Sequence, residues 1–158
     1  MPIQFLKGDA TQPAGDGQQV IVHVCNDLGR WGRGFVLALS QRWAEPEQTY
    51  KEAFKTEPKP SLGDVQFVSV SDSITVANLI GQHGIRSPRN KNAPAPIRYE
   101  AIETGLSTIG SYALKLGASI HMPRIGCGLA GGHWEEIEPI IELTLVNKGV
   151  SVFVYSII

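Results

Sequence analysis

The stretch Val20-Ile21-Val22-His23-Val24-Cys25 decides the fold. It is short, rich in β-branched residues and almost continuously apolar, the pattern of a strand covered on both faces. It runs into Asn26-Asp27-Leu28-Gly29-Arg30-Trp31-Gly32-Arg33-Gly34, a glycine-rich turn, and then into a helical stretch over 34–43. Outward from this unit, residues 65–70 and 74–80 read as further strands, as do 119–122 and 150–155, with a weak strand near 4–6. Helical spacing fills the gaps over 46–55, over 99–116 and over 134–147. In the second of these, Tyr99, Ile102, Leu106, Ile109 and Leu116 recur on one face, and the last stops before Gly149. Strands separated by helices predict an α/β fold, a three-layer α/β/α sandwich with a central mixed sheet, as one domain over 1–158.

The composition bounds the function. With 158 residues, 42 % hydrophobic and 18 % charged, the chain has room for one ordinary core. Lys+Arg of 14 against Asp+Glu of 15 leaves a net charge of -1, which argues against a generally basic nucleic-acid binder. No apolar run approaches the ~20 residues a bilayer span needs. Met1-Pro2-Ile3-Gln4-Phe5 lacks the basic-then-apolar design of a secretory signal, so a cytoplasmic location is expected. Cys25 and Cys127 make no disulfide framework, and no Cys/His spacing suits zinc, so no metal and no cofactor are expected. The Cys-x5-Arg pattern of thiol phosphatases fails too: Trp31 follows Cys25 by six residues, and His133 follows Cys127 by six.

Three glycine-rich segments follow predicted strands: Lys7-Gly8-Asp9-Ala10-Thr11, the Asn26–Gly34 turn, and Gly126-Cys127-Gly128-Leu129-Ala130-Gly131-Gly132. Backbone amides at such turns and at helix starts form an anion cradle, and in an open α/β sheet the ligand crevice lies beyond the carboxyl ends of the strands. Two such loops suit the two phosphates of a pyrophosphate; read blandly, they are only tight turns. Gly126, Gly128 and Gly131 match G-x-G-x-x-G, but too near the C-terminus for a complete dinucleotide-binding half to follow. A NAD-dependent redox enzyme is therefore disfavoured.

Taken in order, these motifs resemble the macro domain family over nearly the whole chain. The resemblance is carried by Gly8-Asp9, by His23-Val24-Cys25-Asn26 leading into Gly29-x-Trp31-Gly32-x-Gly34, by Met122-Pro123-Arg124-Ile125-Gly126-Cys127-Gly128-Leu129, and by Val152-Phe153-Val154-Tyr155. The first loop is similar to the ADP-ribose-1″-phosphate phosphatases, and the segment from Met122 to that of the terminal ADP-ribose-glutamate hydrolases. The resemblance implies a bound ADP-ribose. Asp9 and the Ala10 amide would meet adenine, with Tyr155 packed beside it. Asn26 would hydrogen-bond the distal ribose. Gly29, Gly32, Arg33, Gly34 and Phe35 would wrap that ribose and one phosphate, with Trp31 covering the site or bracing the loop. The run Ile125, Gly126, Cys127, Gly128, Leu129 and Ala130 would supply amides to the other phosphate, Cys127 serving as a small filler rather than a nucleophile.

The sequence departs from the glutamate hydrolases where their lysine and aspartate act. The matching positions are Gln82 and Ala130, which form no amine adduct and transfer no proton. Acid/base candidates that remain are His23, Asp27, His83 and His133, with Asn26 beside them. The first reading is a hydrolase acting at C1″ of the distal ribose, on ADP-ribose-1″-phosphate or on an ADP-ribosylated acceptor. The second is a non-catalytic ADP-ribose reader. Nucleic acid enters only as an ADP-ribosylated substrate, on the strength of Arg86, Arg89 and Lys91 in the irregular stretch 81–96. A free-standing monomer is the expected state.

Overall fold

The computed structural model describes residues 2–85 and 94–157. Arg86, Arg89 and Lys91 lie outside the described residues. Six strands, β1 (Gln4–Lys7), β2 (Gln19–Asn26), β3 (Val65–Ser69), β4 (Ile74–Gln82), β5 (Ser119–Pro123) and β6 (Val152–Ser156), form one sheet in the order β1-β6-β5-β2-β4-β3. Every pairing is parallel except that of β3 with β4, so the mixed sheet carries a single antiparallel strand at one edge. Helices α1 (Phe35–Arg42) and α2 (Glu45–Ala53) cover one face; α3 (Tyr99–Leu116) and α4 (Trp134–Thr144) cover the other.

β2 explains the three layers. Val20 and Val22 enter a core with Leu79, Ile102, Leu106 and Ile141, beneath α3 and α4. Ile21 and Cys25 point the other way, into a cluster with Val76, Ile80, Leu39 and Tyr50, beneath α1 and α2. Both sets are inaccessible or nearly so, and each large apolar side chain fully buried contributes about 1.5–3 kcal/mol. The side-chain period of two thus turns one apolar run into two cores.

Element ends follow from local chemistry. Extended backbone at Trp43 separates α1 from α2, and Pro46, which needs no hydrogen-bond acceptor, sits in the first turn of α2. α4 ends at Thr144, and a separate 3-10 turn, Val146–Lys148, completes the stretch expected as one helix. β4 runs two residues further than its apolar pattern, through Gly81 and Gln82. A Cβ at Gly81 would lie 2.4 Å from Ile102 Cδ1, so only glycine lets the strand continue under α3. Gln82 then bridges Ile97, and the irregular stretch begins at His83 rather than at Gly81. Among the described residues, no helix is long and apolar enough to cross a membrane.

The parallel arrangement places the carboxyl ends of β1, β6, β5, β2 and β4 along one edge of the sheet. The loops leaving those five ends build the site.

Candidate ligand-binding crevice

Three adjoining cavities form a crevice along this edge. The first, of about 400 Å³, lies among Gly8, Asp9, Ala10, Ala38, Tyr155 and Ile157. The second, of about 270 Å³, lies among Gln82, Arg124, Ile125, Gly126, Cys127 and Ala130. Gly34, Phe35 and Pro123 line both. The third, of about 130 Å³, takes in Asn26, Trp31, Gly32 and Ile85, and shares Arg33 and Gln82 with the second. A cavity as large as the second lies at the opposite edge, among Asp16, Gly117 and Gly149. The amides of Gly117, Ala118, Gly149 and Val150 there are all spent on carbonyls of helix ends.

The middle of the crevice differs in having amides to offer. α1 begins at Gly34, whose φ of 83° and ψ of -131° suit glycine, with no side-chain cap and no acidic residue in the first turn. Leu37 N–H donates to the Gly34 carbonyl at 3.0 Å, but among the described residues the amides of Phe35 and Val36 find no acceptor, at the positive end of the helix dipole. Opposite, the β5–α4 loop is closed by Gly132 N–H to the Gly126 carbonyl at 2.8 Å and Gly131 N–H to the Gly128 carbonyl at 2.9 Å. Among the described residues, the amides of Gly126, Cys127 and Gly128 find no protein acceptor. Ile97 N–H donates to the Ala130 carbonyl at 3.1 Å, tying this loop to the end of the β4–α3 connection. α4, by contrast, carries Glu135 and Glu136 in its first turn and repels anions. Two sets of free amides and Arg33 thus face each other across a space suited to phosphate.

At the Asp9 end, Asp9 Oδ1 accepts from the Thr11 amide and from the Thr11 hydroxyl, both at 2.8 Å, which folds the turn after β1. Arg42 Nη1 donates to the Thr11 carbonyl at 2.9 Å and holds that turn against α1. The Tyr155 hydroxyl accepts from the Ala14 amide at 2.9 Å and lies 2.7 Å from His121 Nδ1. Its ring is thereby fixed as one wall of the first cavity. Burial holds His121 down to about 4, so it stays neutral and stacked on Phe153, its Nε2 lying 2.8 Å from the Ser119 hydroxyl.

At the other end Asn26 organises its own loop. Its Nδ2 donates to the Arg30 carbonyl at 2.7 Å, and Oδ1 accepts from the Leu28 amide at 2.9 Å and lies 2.8 Å from the Tyr50 hydroxyl. Gly29 lies outside the crevice, where a Cβ would come 2.8 Å from Phe54 Cγ. Trp31 is buried and its indole N–H donates to Ser40 Oγ at 2.8 Å, so it braces the loop while its edge lines the third cavity. Gln82 donates to the Gly84 carbonyl at 3.0 Å and faces the second and third cavities.

The acid/base candidates divide. Asp27 and His83 are brought together, Oδ2 to Nδ1 at 2.7 Å, and the Gly84 amide reaches Asp27 Oδ1 at 2.9 Å. Burial pushes the Asp27 carboxyl up, but the Gly84 amide and His83 outweigh it and hold the group below its ordinary range. Neither residue is among those lining the three cavities. His23 lines the second cavity but is buried, and burial lowers it to about 4. Asn78 donates its Nδ2 to Pro46 O and Gln66 Oε1, so its Oδ1 faces His23 Nε2 at 2.5 Å and that nitrogen carries the proton. Burial pushes the Cys25 thiol far up, and pushes Cys127 up against a smaller pull from Arg124. Neither is an activated nucleophile. His133 stands exposed before α4, its amide on the Tyr99 hydroxyl at 3.1 Å. Gly128 and Leu129 lie in a 3-10 turn, Gly128–Ala130, beside the free amides. Among the described residues no group of three His, Cys, Asp or Glu could hold a metal ion.

Three residues that support the site carried no signal in the sequence: His121, Asn78 and Tyr50. His121 and Asn78 sit inside apolar strands and Tyr50 in the polar helix α2, and none shows its partner until the sheet order brings it alongside.

No family model matches the chain. A solved structure from Bacteroides thetaiotaomicron is 50 % identical, with a TM-score of 0.93 and 98 % of each chain covered. A macrodomain protein from Streptomyces coelicolor is 46 % identical, with a TM-score of 0.85 and again 98 % of each chain covered. The chain belongs to the macro domain family. Chromodomain-helicase-DNA-binding protein 1-like of Mus musculus is 38 % identical over 97 % of this macro domain, which spans only 17 % of that longer protein. More distant relatives are the ADP-ribose glycohydrolase OARD1 of Bos taurus, 25 % identical over 98 % of the chain and 91 % of its own length, and the ADP-ribose 1''-phosphate phosphatase of Candida albicans, 24 % identical over 89 % and 92 %. In this macro domain Gln82 and Ala130 both line the middle cavity.

Proposed function

We propose that this macro domain binds ADP-ribose and hydrolyses a substituent from C1″ of its distal ribose. The observation that carries the reading is the pair of unpaired amide sets facing each other midway along the crevice, with an apolar cavity to one side and a small polar one to the other. The base would lie beside Tyr155 with Asp9 Oδ2, which takes no part in the Thr11 turn, free to accept from its amino group. The pyrophosphate would lie between the α1 N-terminus and the amides of Gly126 to Gly128. The distal ribose would then reach the cavity shared by Arg33, Gly32 and Gln82.

The chemistry asks little of a proton-transfer side chain. A water oxygen forms the new bond to C1″ as the bond from C1″ to the substituent's oxygen breaks, and the water's proton leaves with the substituent. Gln82 Oε1, with Nε2 already committed to Gly84, orients that water, while Arg33 and the loop amides stabilise the negative charge on the departing group. The names of the distant relatives, a glycohydrolase and a phosphatase, support a hydrolytic reading.

Phosphorus NMR of ADP-ribose-1″-phosphate with the protein tests this. Growth of free phosphate, lost in Gly34→Val, supports hydrolysis; release from an ADP-ribosylated acceptor instead names the other leaving group. A second reading, a non-catalytic reader, is favoured by one observation: Asp27 and His83 pair outside the ligand space, and His23, on its wall, is neutral and spends its Nε2–H on Asn78. Shifted pyrophosphate signals without any product would establish it.

A further inference from the structure

The β2–α1 loop forms half of the crevice, and the two residues that hold it in shape, Asn26 and Trp31, are themselves held from outside the crevice. Their support comes from α2, behind the loop. The Tyr50 hydroxyl lies 2.7 Å from the Asn26 carbonyl oxygen and 2.8 Å from Asn26 Oδ1, where it can only donate. Burial pushes this phenol up from its ordinary value, so it keeps its proton. With Oδ1 held there, Asn26 closes the turn onto Leu28 and Arg30. One helical turn earlier, Glu47 Oε1 accepts from Ser40 Oγ at 2.8 Å, and Ser40 Oγ in turn accepts from the Trp31 indole at 2.8 Å. Lys51 and the Ser40 hydroxyl hold the Glu47 carboxyl below its ordinary range, so the acceptor stays ionised. Glu47 and Tyr50 thus grip the loop at Trp31 and at Asn26, on either side of Arg30, and Gly32, Arg33 and Gly34 hang beyond the second grip, facing the ligand space.

We propose that Tyr50 and Glu47 are positioning residues of the crevice: a two-point brace on α2 that sets the β2–α1 loop so that its amides meet the distal half of the ligand. The inference rests on the ADP-ribose reading above. A side chain packed only for stability would lower affinity for every ligand alike or for none. A brace on this loop acts mainly on the phosphates and distal ribose, and less on the Asp9 end, where Gly8, Asp9, Ala10 and Tyr155 come from other elements and the loop supplies only its last residue, Gly34, ahead of Phe35.

The test compares AMP with ADP-ribose by calorimetric titration in the wild type, Tyr50→Phe, Glu47→Ala and Glu47→Gln. Phe keeps the ring packed between Trp31 and Phe54 and removes only the hydroxyl. The expected result is an ADP-ribose affinity about tenfold weaker in Tyr50→Phe and Glu47→Ala, the size of one lost hydrogen bond, with AMP, which lacks the second phosphate and the distal ribose, weakened distinctly less. Glu47→Gln, which keeps an acceptor oxygen, should restore most of the loss. Equal weakening of AMP and ADP-ribose, or no weakening of either, would overturn the proposal. Amide hydrogen exchange at Leu28 and Arg30, measured against core amides of α3, gives a readout without ligand and separates a loosened loop from a variant that has lost its fold. Faster exchange there in Tyr50→Phe is expected; unchanged exchange contradicts the brace. A wild type that binds neither AMP nor ADP-ribose would instead remove the ADP-ribose reading, with the exchange result still standing on its own.

Discussion

Asp27 and His83, 56 residues apart in sequence, meet at 2.7 Å and join the loop after β2 to the loop after β4. The Asp27 amide donates to the Gln82 carbonyl at 3.0 Å and the Gly84 amide returns to the Asp27 carboxylate, so three bonds clasp the two strand ends. The clasp sits on the rim, next to Asn26 and Gln82, and its work is to fix the distance between them.

Asp27→Asn should cost about 0.5–1 kcal/mol, as His83 is well exposed and the pair is screened. The sign of its pH dependence follows from the lowered carboxyl. The stabilisation is present above the ordinary carboxyl value of about 4 and is lost as pH falls through the lower folded value. Urea unfolding of the wild type and Asp27→Asn should therefore differ near neutrality and converge at strongly acid pH.

Two buried histidines dominate a different window. His23 and His121 are both held near 4, below the ordinary value of 6.5. Their contribution is full above that ordinary value and falls as pH drops toward 4, by up to about 1.4 kcal/mol per pH unit for each. His23→Gln should flatten the acid loss of stability by one histidine's share. Imidazole NMR signals of both rings should stay in the neutral position until close to pH 4.

Gly132→Ala should disable the phosphate loop. An added Cβ would lie 2.2 Å from the Gly126 carbonyl oxygen, the acceptor that closes the loop, so the backbone must move. The expected cost is about 2–4 kcal/mol in thermal or urea unfolding, with ADP-ribose binding lost even in the folded fraction.

Tyr155→Phe leaves the Ala14 amide and His121 Nδ1 without their partner. A loss of about 1–3 kcal/mol is expected, together with weaker AMP binding, because the wall of the cavity at the Asp9 end is no longer anchored. Calorimetric unfolding and AMP titration check the two halves of that statement.

Much of this was readable from the chain alone, for identifiable reasons. β2 announced itself because both its faces are apolar, and the glycine turns because their positions follow strands. The end of β4 was missed because Gly81 and Gln82 look like loop residues; only the space under Ile102 shows why glycine continues the strand. The Asp27–His83 clasp depends on β2 and β4 being neighbours in register, Asn26 beside Gln82, which no local pattern states. His121 needed the β5–β6 pairing, with Phe153 beside it and Tyr155 two positions on. Tyr50, at helical spacing in α2, reads as core, and it is core; its hydroxyl has a partner only once α2 lies against β2.

The sheet divides the apolar interior unequally. The cluster beneath α3 and α4 is large and continuous, while that beneath α1 and α2 is small and ends at the crevice with Trp31, Val36 and the packed edge of Phe35. The larger cluster meets the crevice at its margin, with Ile125 and Ala130, whereas the smaller one ends there with residues that start α1. A molecule seated against Phe35 should therefore extend the lesser cluster more than the greater. Amide exchange with and without ADP-ribose should then slow more in α1 and α2 than in α3 and α4.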